Sequence, residues 1–210
     1  MTDGPFVHIV DDDPDVLESL SLALTASGYA CKTYDSGGDF LQRAAPAVGD
    51  CAIFDFQMPR IDGVGLLEEV ARREWRLPVI VMTAFGDIPL AVRAVRAGAM
   101  DFVEKPCAVP ALRWVIDRAL AEAKKGISGH ADIDDTARLN RLTVREREVF
   151  DLLAKGDTNK GVGRTLDISA RTVETHRARV MEKLELRNLA ELVRLAQRAA
   201  TVEGMRDPAS

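Results

Sequence analysis

The chain has 210 residues, of which 47% are hydrophobic and 29% are charged, values typical of a globular protein with one large or two ordinary domains. No apolar run approaches the roughly 18 residues that a membrane-spanning helix requires, and the N-terminus lacks a signal-peptide pattern. We therefore expect a cytoplasmic protein with no membrane partner. The cysteines Cys31, Cys51 and Cys107 have neither metal-ligand spacing nor the pattern of a disulfide framework.

Charge is distributed unevenly along the chain. The formal net charge is −5, but residues 1–125 carry −6 and residues 137–200 carry +5. An acidic half followed by a basic half suggests two domains, and the basic one is a candidate for binding nucleic acid.

The first half alternates strand-like and helix-like patterns. Apolar runs predict strands at 6–10, 29–34, 51–55, 78–84 and 100–106. Helical spacing of apolar residues predicts helices at 14–28, 37–45, 63–74, 87–98 and 109–125. Strands this apolar suit a parallel sheet covered on both faces, so we predict a doubly wound, five-stranded α/β domain over residues 1–125.

Residues 126–138, GISGHADIDDTAR, show little periodicity and are interpreted as a linker. An all-α domain is predicted for residues 139–203. Its four helices are expected at 143–154, 158–166, 170–184 and 188–200.

Local signals support the helices of this second domain. Thr143 with Glu146 fits a capping box, Gly156 is a helix terminator and Ser169 is a capping residue.

The two central helices of the second domain have contrasting patterns. Val173, Val180 and Leu184 share one face at helical spacing. In the preceding helix, Gly161 and Gly163 each cost roughly 1 kcal/mol relative to alanine, which predicts a soft helix.

Polar side chains follow four of the predicted strands at their carboxyl ends. They are Asp11 and Asp12 after the first strand, Asp55 in the third, Thr83 in the fourth and Lys105 in the fifth. Ligands of open α/β sheets bind at this edge. Crowded carboxylates repel one another unless a cation balances them, so we predict a site for a hard divalent cation, with the hydroxyl and ammonium suited to a phosphoryl group.

These residues, with the motifs FDFQMPRIDG, MTA and DFVEKP, resemble the receiver domain of two-component response regulators over about residues 5–125. The resemblance implies that Asp55 accepts a phosphoryl group from a sensor histidine kinase, with Mg²⁺ or Mn²⁺ as cofactor. The implied ligands are Asp11, Asp12, Asp55 and the backbone carbonyl of Gln57, with Asp11 acting mostly through water.

The resemblance also implies a switch. Lys105 would pair with the phosphoryl oxygens, and its peptide bond to Pro106 would be cis. Thr83 would hydrogen-bond a phosphoryl oxygen, and Phe102 would be the aromatic residue coupled to it.

Phosphorylation in this family is followed by dimerisation through the face that contains helix 87–98. Val92 and Arg96, four residues apart on one side of that helix, are the candidates for the dimer contact.

Residues 138–200 resemble the LuxR-type helix-turn-helix domain through LTVREREV, NK, ISARTVETHR and KL. Together the two domains resemble the NarL/FixJ class of response regulators, and VDDD and RTVETHR are more similar to its FixJ-like members. The resemblance implies a regulator that forms a homodimer on promoter DNA, with RNA polymerase as a further candidate partner. Such a protein accepts a phosphoryl group but is not a turnover enzyme.

The family's docking places helix 170–184 in the major groove. The residues aligned with positions that face base edges are Glu174, Thr175 and Ala178. The candidates for phosphate contacts are Arg171, Arg177, Arg179 and Lys183.

Two other classes of function remain open. A metal-dependent aspartyl phosphatase would use similar parts but generally needs a second acid where this chain has Gln57. A phosphorylation-independent DNA-binding protein would not need the complete set of polar residues at the sheet edge.

Overall fold

The computed structural model describes residues 5–84, 88–125 and 134–205. The chain divides into two compact units, one of residues 1–86 and 96–128, the other of residues 87–95 and 129–210. The predicted helix start at Asp87 and residues 126–133 of the predicted linker lie outside the described residues. No helix in the described ranges has an apolar stretch long enough to cross a membrane.

A five-stranded parallel sheet forms the first unit, and its strand order β2-β1-β3-β4-β5 confirms the predicted fold class. The strands are β1 (Phe6–Val10), β2 (Ala30–Tyr34), β3 (Cys51–Asp55), β4 (Val79–Thr83) and β5 (Asp101–Glu104). Helices alternate with them along the chain as α1 (Pro14–Ala26), α2 (Gly37–Arg43), α3 (Gly63–Arg72), α4 (Ile88–Arg96) and α5 (Val109–Lys125). The ends of these elements lie within two residues of those predicted.

The centre of the sheet determines where the polar strand ends meet. β1 pairs with β3 in parallel register, with Val10 opposite Phe54. β3 in turn pairs with β4, so the carboxyl ends of three apolar strands lie side by side. Because all the strands are parallel, the residues that follow them emerge at one edge.

Helices form the second unit. Besides residues 88–95 of α4, they are α6 (Asp134–Leu139), α7 (Val144–Lys155), α8 (Asn159–Leu166), α9 (Ala170–Lys183) and α10 (Leu189–Met205). The four predicted helices correspond to α7 to α10.

Helix α6 was not predicted, because it lies in the segment interpreted as linker. A helix of six residues is too short to show a helical period. What holds it is a long-range contact: Asp135, 3% exposed, accepts a hydrogen bond from Nε of Arg198 in α10 at 2.7 Å.

The predicted capping residues are found at the helix ends of the second unit. Thr143 and Glu146 form a reciprocal capping box at α7, and Gly156 ends that helix with a left-handed φ of 100°. The hydroxyl of Ser169 accepts from the amide of Thr172 at the start of α9.

One apolar core holds the second unit together. It includes Ile88, Val92 and Val95 of α4, Val149, Phe150 and Leu153 of α7, Val162 of α8, Val173 and Val180 of α9 with Leu184 directly after it, and Leu192 and Leu195 of α10. The predicted inner face of α9 is therefore correct.

Gly163 allows a close approach between α8 and the turn that follows it. A Cβ at this buried position would lie 2.7 Å from the carbonyl oxygen of Ile168, whereas at Gly161 the nearest atom would be the hydroxyl of Thr158 at 3.4 Å. The amide of Ile168 also donates to the carbonyl of Gly163 at 2.9 Å. Gly163 thus has a packing role that the interpretation of α8 as a soft helix did not include.

We expect Gly163→Ala to destabilise the second unit by about 1–3 kcal/mol, because an added methyl group would force the turn away from α8. The matched Gly161→Ala should be neutral or stabilise α8 by up to ~1 kcal/mol. Hydrogen exchange of α8 and α9 amides in the full chain, with thermal melting by circular dichroism, measures both. Equal responses of the two variants would contradict this role of Gly163.

Candidate functional site

Three carboxylates converge at the carboxyl edge of the sheet. Asp11 and Asp12 follow β1, and Asp55 ends the adjacent strand β3. One oxygen from each side chain lies within 4.8 Å of the other two. Asp11 and Asp55 are buried, at 4% and 7% exposure, whereas Asp12 is exposed. Sequence analysis predicted this convergence, and Asp12 is the member that solvent reaches.

The ammonium group of Lys105 bridges two of these carboxylates. Its Nζ donates to Oδ2 of Asp11 and to Oδ1 of Asp55, both at 2.6 Å. Burial lowers the pKa of Lys105, but the hydrogen bonds with the two carboxylates outweigh burial and the pKa is raised. Lys105 is therefore a stable positive charge that offsets part of the crowded negative charge.

The carboxylate of Asp55 also accepts a hydrogen bond from the loop that follows β3. The amide of Gln57 donates to Oδ2 of Asp55 at 2.7 Å. Burial raises the pKa of Asp55, and the hydrogen bond from Lys105 opposes that shift without cancelling it. Gly63 begins α3 directly against this backbone, since a Cβ there would overlap the carbonyl oxygen of Asp55. Sequence analysis missed this contact.

The donor set suits a hard divalent cation. Both oxygens of Asp11 already accept hydrogen bonds, Oδ1 from the amide of Asp13 at 3.0 Å and Oδ2 from Lys105. Asp12 is exposed, and Asp55 presents a carboxylate beside it. Carboxylate oxygens are the ligands that Mg²⁺ and similar cations prefer, so the acidic cluster could bind such a metal.

The other predicted residues of this edge lie on the two neighbouring strands. Thr83 is fully buried at the end of β4, and the amide of Lys105 donates to its carbonyl oxygen at 2.6 Å. Phe102 is half-buried on β5. The peptide bond between Lys105 and Pro106 is cis.

Helix α9 of the second unit presents a polar outer surface. Its exposed residues include Arg171, Glu174, Thr175, Ala178 and Arg179. The hydroxyl of Thr175 donates to the carbonyl of Arg171 at 3.1 Å, within the helix itself. Arg177 is half-buried, in agreement with a side chain whose stem lies along the inner face.

Lys183 differs from the other predicted phosphate contacts. Its Nζ donates to Oε2 of Glu146 at 2.6 Å, and the carboxylate side chain is only 4% exposed. The hydrogen bond from Lys183 is the largest of the causes that lower the pKa of Glu146 to about 2. Sequence analysis identified Glu146 only as a capping residue.

One of the two residues predicted to form the dimer contact is buried. Val92 is 2% exposed and belongs to the core of the second unit, whereas Arg96 is exposed. Because its side chain is buried, Val92 cannot contact another molecule in the structure described. The role of Val92 and Arg96 in dimerisation stays a prediction.

The chain matches two protein families. Residues 7–117 match the response regulator receiver domain, and residues 140–196 match the bacterial regulatory proteins of the luxR family. A receiver domain followed by a LuxR-type DNA-binding domain defines a two-component response regulator that regulates transcription, a class that is not a classical enzyme.

Curated relatives extend over nearly the whole chain. The transcriptional regulatory protein FixJ of Bradyrhizobium diazoefficiens is 38% identical over 95% of this chain and 98% of its own length. FixJ of Rhizobium meliloti is 41% identical over 90% of this chain and 94% of its own length. The tetrathionate response regulatory protein TtrR of Salmonella typhimurium is 36% identical over 94% of each chain. The chain therefore belongs to the NarL/FixJ class of response regulators, among its FixJ-like members, and a sensor kinase and DNA are its partners.

Solved structures agree with this assignment. Full-length FixJ from B. japonicum is 36% identical, with a TM-score of 0.55 over 96% of this chain and 99% of the other. The response regulator StyR is 35% identical, with the same TM-score of 0.55 over 93% of this chain and 99% of its own.

Without divalent cations, Asp55→Asn should stabilise the first unit, and the gain should grow as the pH rises above the unfolded-state pKa of ~3.9. Burial raises the folded-state pKa of Asp55 above the unfolded value of ~3.9. The folded chain therefore holds a proton that the unfolded chain has lost, and the stability from this group falls as the pH rises through the folded pKa. Asparagine does not titrate in this pH range, so the Asp55→Asn variant lacks this pH-dependent loss of stability.

Thermal unfolding followed by tryptophan fluorescence measures this effect, because both tryptophans, Trp75 and Trp114, lie in the first unit. The control is Asp35→Asn, an exposed acid that follows β2 outside the cluster. At a hundredfold excess of Mg²⁺ over its Kd, the wild type should gain about 2.7 kcal/mol and Asp55→Asn less. A difference between wild type and Asp55→Asn that does not change with pH would contradict the expectation.

Proposed function

We propose that Asp55 accepts a phosphoryl group from the phosphohistidine of a sensor kinase. An oxygen of the Asp55 carboxylate would form the new bond to phosphorus, while the bond between phosphorus and the kinase imidazole breaks and the imidazole leaves with the electron pair. The observation that carries this proposal is the convergence of Asp11, Asp12, Asp55 and Lys105 at one strand edge. Asp55 is the only one of the three acids that also lies within a strand, with its backbone fixed by Gly63.

Mg²⁺ or Mn²⁺ would be held by Asp12, Asp55 and the carbonyl of Gln57, with Asp11 acting through water. Both oxygens of Asp11 and both oxygens of Asp55 accept hydrogen bonds in the structure described, whereas Asp12 is exposed, which supports Asp12 as a direct ligand. When bound, the cation supplies charge that offsets the crowded carboxylates and the phosphoryl oxygens.

Lys105 would exchange its bond to Asp55 for one to a phosphoryl oxygen. It already reaches an oxygen of Asp55 at 2.6 Å and carries a stable positive charge. Thr83, one strand away, would donate its hydroxyl to another phosphoryl oxygen, and half-buried Phe102 would move inward with it.

This rearrangement would lead to a homodimer, with helix α4 and residues Val92 and Arg96 on the contact face. Since Val92 is buried in the structure described, its contribution requires that α4 be uncovered first. Dimerisation would raise the effective concentration of the second DNA-binding domain at a paired site.

Helix α9 would enter the major groove of promoter DNA. Its exposed residues Glu174, Thr175 and Ala178 would face base edges, and the exposed Arg171 and Arg179 would contact phosphates. Half-buried Arg177 is a further candidate for a phosphate contact.

The proposed arrangement of the chain is a receiver at 1–125, a linker at 126–138 and a DNA-binding domain at 139–203. A regulator that binds promoters acts in the cytoplasm beside RNA polymerase and needs no membrane partner.

Light scattering tests the proposal. With Mg²⁺ and beryllofluoride, which mimics a phosphoryl group on aspartate, the wild type should shift from the mass of one 23.0 kDa chain to that of two. Asp55→Asn should stay at the mass of one chain, because the acceptor carboxylate is gone, and Asp35→Asn should behave as wild type.

A wild type that does not change mass would show that the phosphoryl mimic does not drive dimerisation. Dimers of Asp55→Asn that depend on beryllofluoride would place the acceptor at another residue.

A further inference from the structure

We propose that the ion pair between Glu146 and Lys183 positions the recognition helix α9, and that Lys183 does not contact phosphate. The proposal rests on the proposed reading of DNA by α9. Sequence analysis grouped Lys183 with the arginines of α9 as a phosphate contact because all of them are positively charged. The proposal gives Lys183 a different role from those arginines.

The ion pair joins two elements that are distant in sequence. Lys183 is the last residue of α9, and Glu146 lies in the first turn of α7, 37 positions earlier. The carboxylate is buried, while the lysine side chain is 37% exposed. Leaving this carboxylate without its partner would be costly, so the lysine is held in place rather than available to a ligand.

Glu146 is itself fixed in position. The same oxygen, Oε2, accepts from the backbone amide of Thr143 at 2.8 Å, and the hydroxyl of Thr143 accepts from the amide of Glu146 at 3.3 Å. This capping box ties the carboxylate to the start of α7. The bond to Lys183 therefore transmits the position of α7 to the end of α9.

A second contact holds the same end of α9. A guanidinium nitrogen of Arg138 in α6 donates to the carbonyl oxygen of Leu184, the residue that follows α9. The opposite end of α9 is fixed by the cap of Ser169 and by the close approach at Gly163. Both ends of the helix thus have side-chain or backbone anchors within the second unit.

The position of Lys183 around the helix separates it from two of the three candidate base-reading residues. At about 100° per residue, Lys183 lies about 180° from Glu174, about 140° from Ala178 and about 80° from Thr175, the candidate base-reading residues. The candidate phosphate contact Arg179 lies about 40° from Lys183, and the bond to Glu146 distinguishes Lys183 from it. Lys183 also lies on the last turn, where a positive charge is favoured by the helix dipole. Because its ammonium group is bound to Glu146, Lys183 can set the orientation of α9 without contacting DNA itself.

The distinguishing measurement is the binding of full-length protein, with Mg²⁺ and beryllofluoride, to two DNA duplexes over a salt series. One duplex is selected by the wild type from a random-sequence pool, and the other is a scrambled version of it. On both duplexes, a phosphate contact contributes about 0.9 for each bound chain to the magnitude of the slope of log K against log salt. A positioning residue changes the ratio of the two affinities and leaves the slope unchanged.

For Lys183→Gln we expect about a tenfold loss of the affinity ratio, which is the effect of ~1.4 kcal/mol, with an unchanged slope. Glu146→Gln should give the same loss, since glutamine keeps the capping box but not the charge. Lys183→Arg, which retains the charge, should keep most of the ratio. Unchanged affinity for the scrambled duplex and unchanged circular dichroism show that each variant is folded.

The control is the double variant Arg171→Gln, Arg179→Gln, which removes two exposed cations of α9 and should lower the magnitude of the slope by up to ~1.8 for each bound chain. If Lys183→Gln also lowers the slope and Glu146→Gln tightens binding to both duplexes, Lys183 is a phosphate contact and the positioning role is overturned. Unchanged ratios in both variants overturn it as well. If the double variant leaves the slope unchanged, the reading of DNA by α9 fails, and the positioning role fails with it.

Discussion

The acidic edge of this response regulator depends on one interaction, the bridge that Lys105 makes between Asp11 and Asp55. Two buried carboxylates with no partner would oppose folding, because burial without compensation strongly disfavours the charged form. The ammonium at 2.6 Å from each oxygen removes part of that penalty. It removes only part, since three carboxylates face one ammonium. The remaining negative charge means that the edge could bind a cation. In the proposed function, Lys105 is the group that would change partner when a phosphoryl group arrives.

Much of the fold and of this edge could be predicted from the sequence because the signals are local. Strands that are apolar throughout, separated by helices with recognisable caps, indicate a parallel sheet, and parallel strands deliver the residues that follow them to one edge. Asp11, Asp55, Thr83 and Lys105 each come at the end of such a strand, so their proximity follows from the topology alone. The caps of α7 and α9 are equally local, each within four consecutive residues.

What the sequence did not predict are the side-chain contacts between distant residues that lie away from the carboxyl edge of the sheet. Glu146 and Lys183 are 37 positions apart, and Asp135 and Arg198 are 63 apart. The same holds for His8, buried in β1, whose ring nitrogen Nε2 lies 3.1 Å from Oδ2 of Asp50. No periodic pattern identifies which charged residue will be buried with which, because the reach of side chains across packed elements depends on the finished core. Close backbone approach is similarly invisible, which is why Gly163 resembled a helix-weakening residue.

The residues of α9 that hold the helix in place differ from those on its exposed surface, and this difference has a consequence for how such regulators diversify. Its inner residues fill the core, and its ends are anchored by Gly163, Ser169 and the pair of Glu146 with Lys183. The exposed side chains between them carry little of the stability, and surface substitutions of this kind usually change it by about 0.5 kcal/mol or less. In the proposed reading of DNA by α9, duplicated genes could therefore acquire new target sequences through substitutions of a few outward-facing residues without loss of the folded domain.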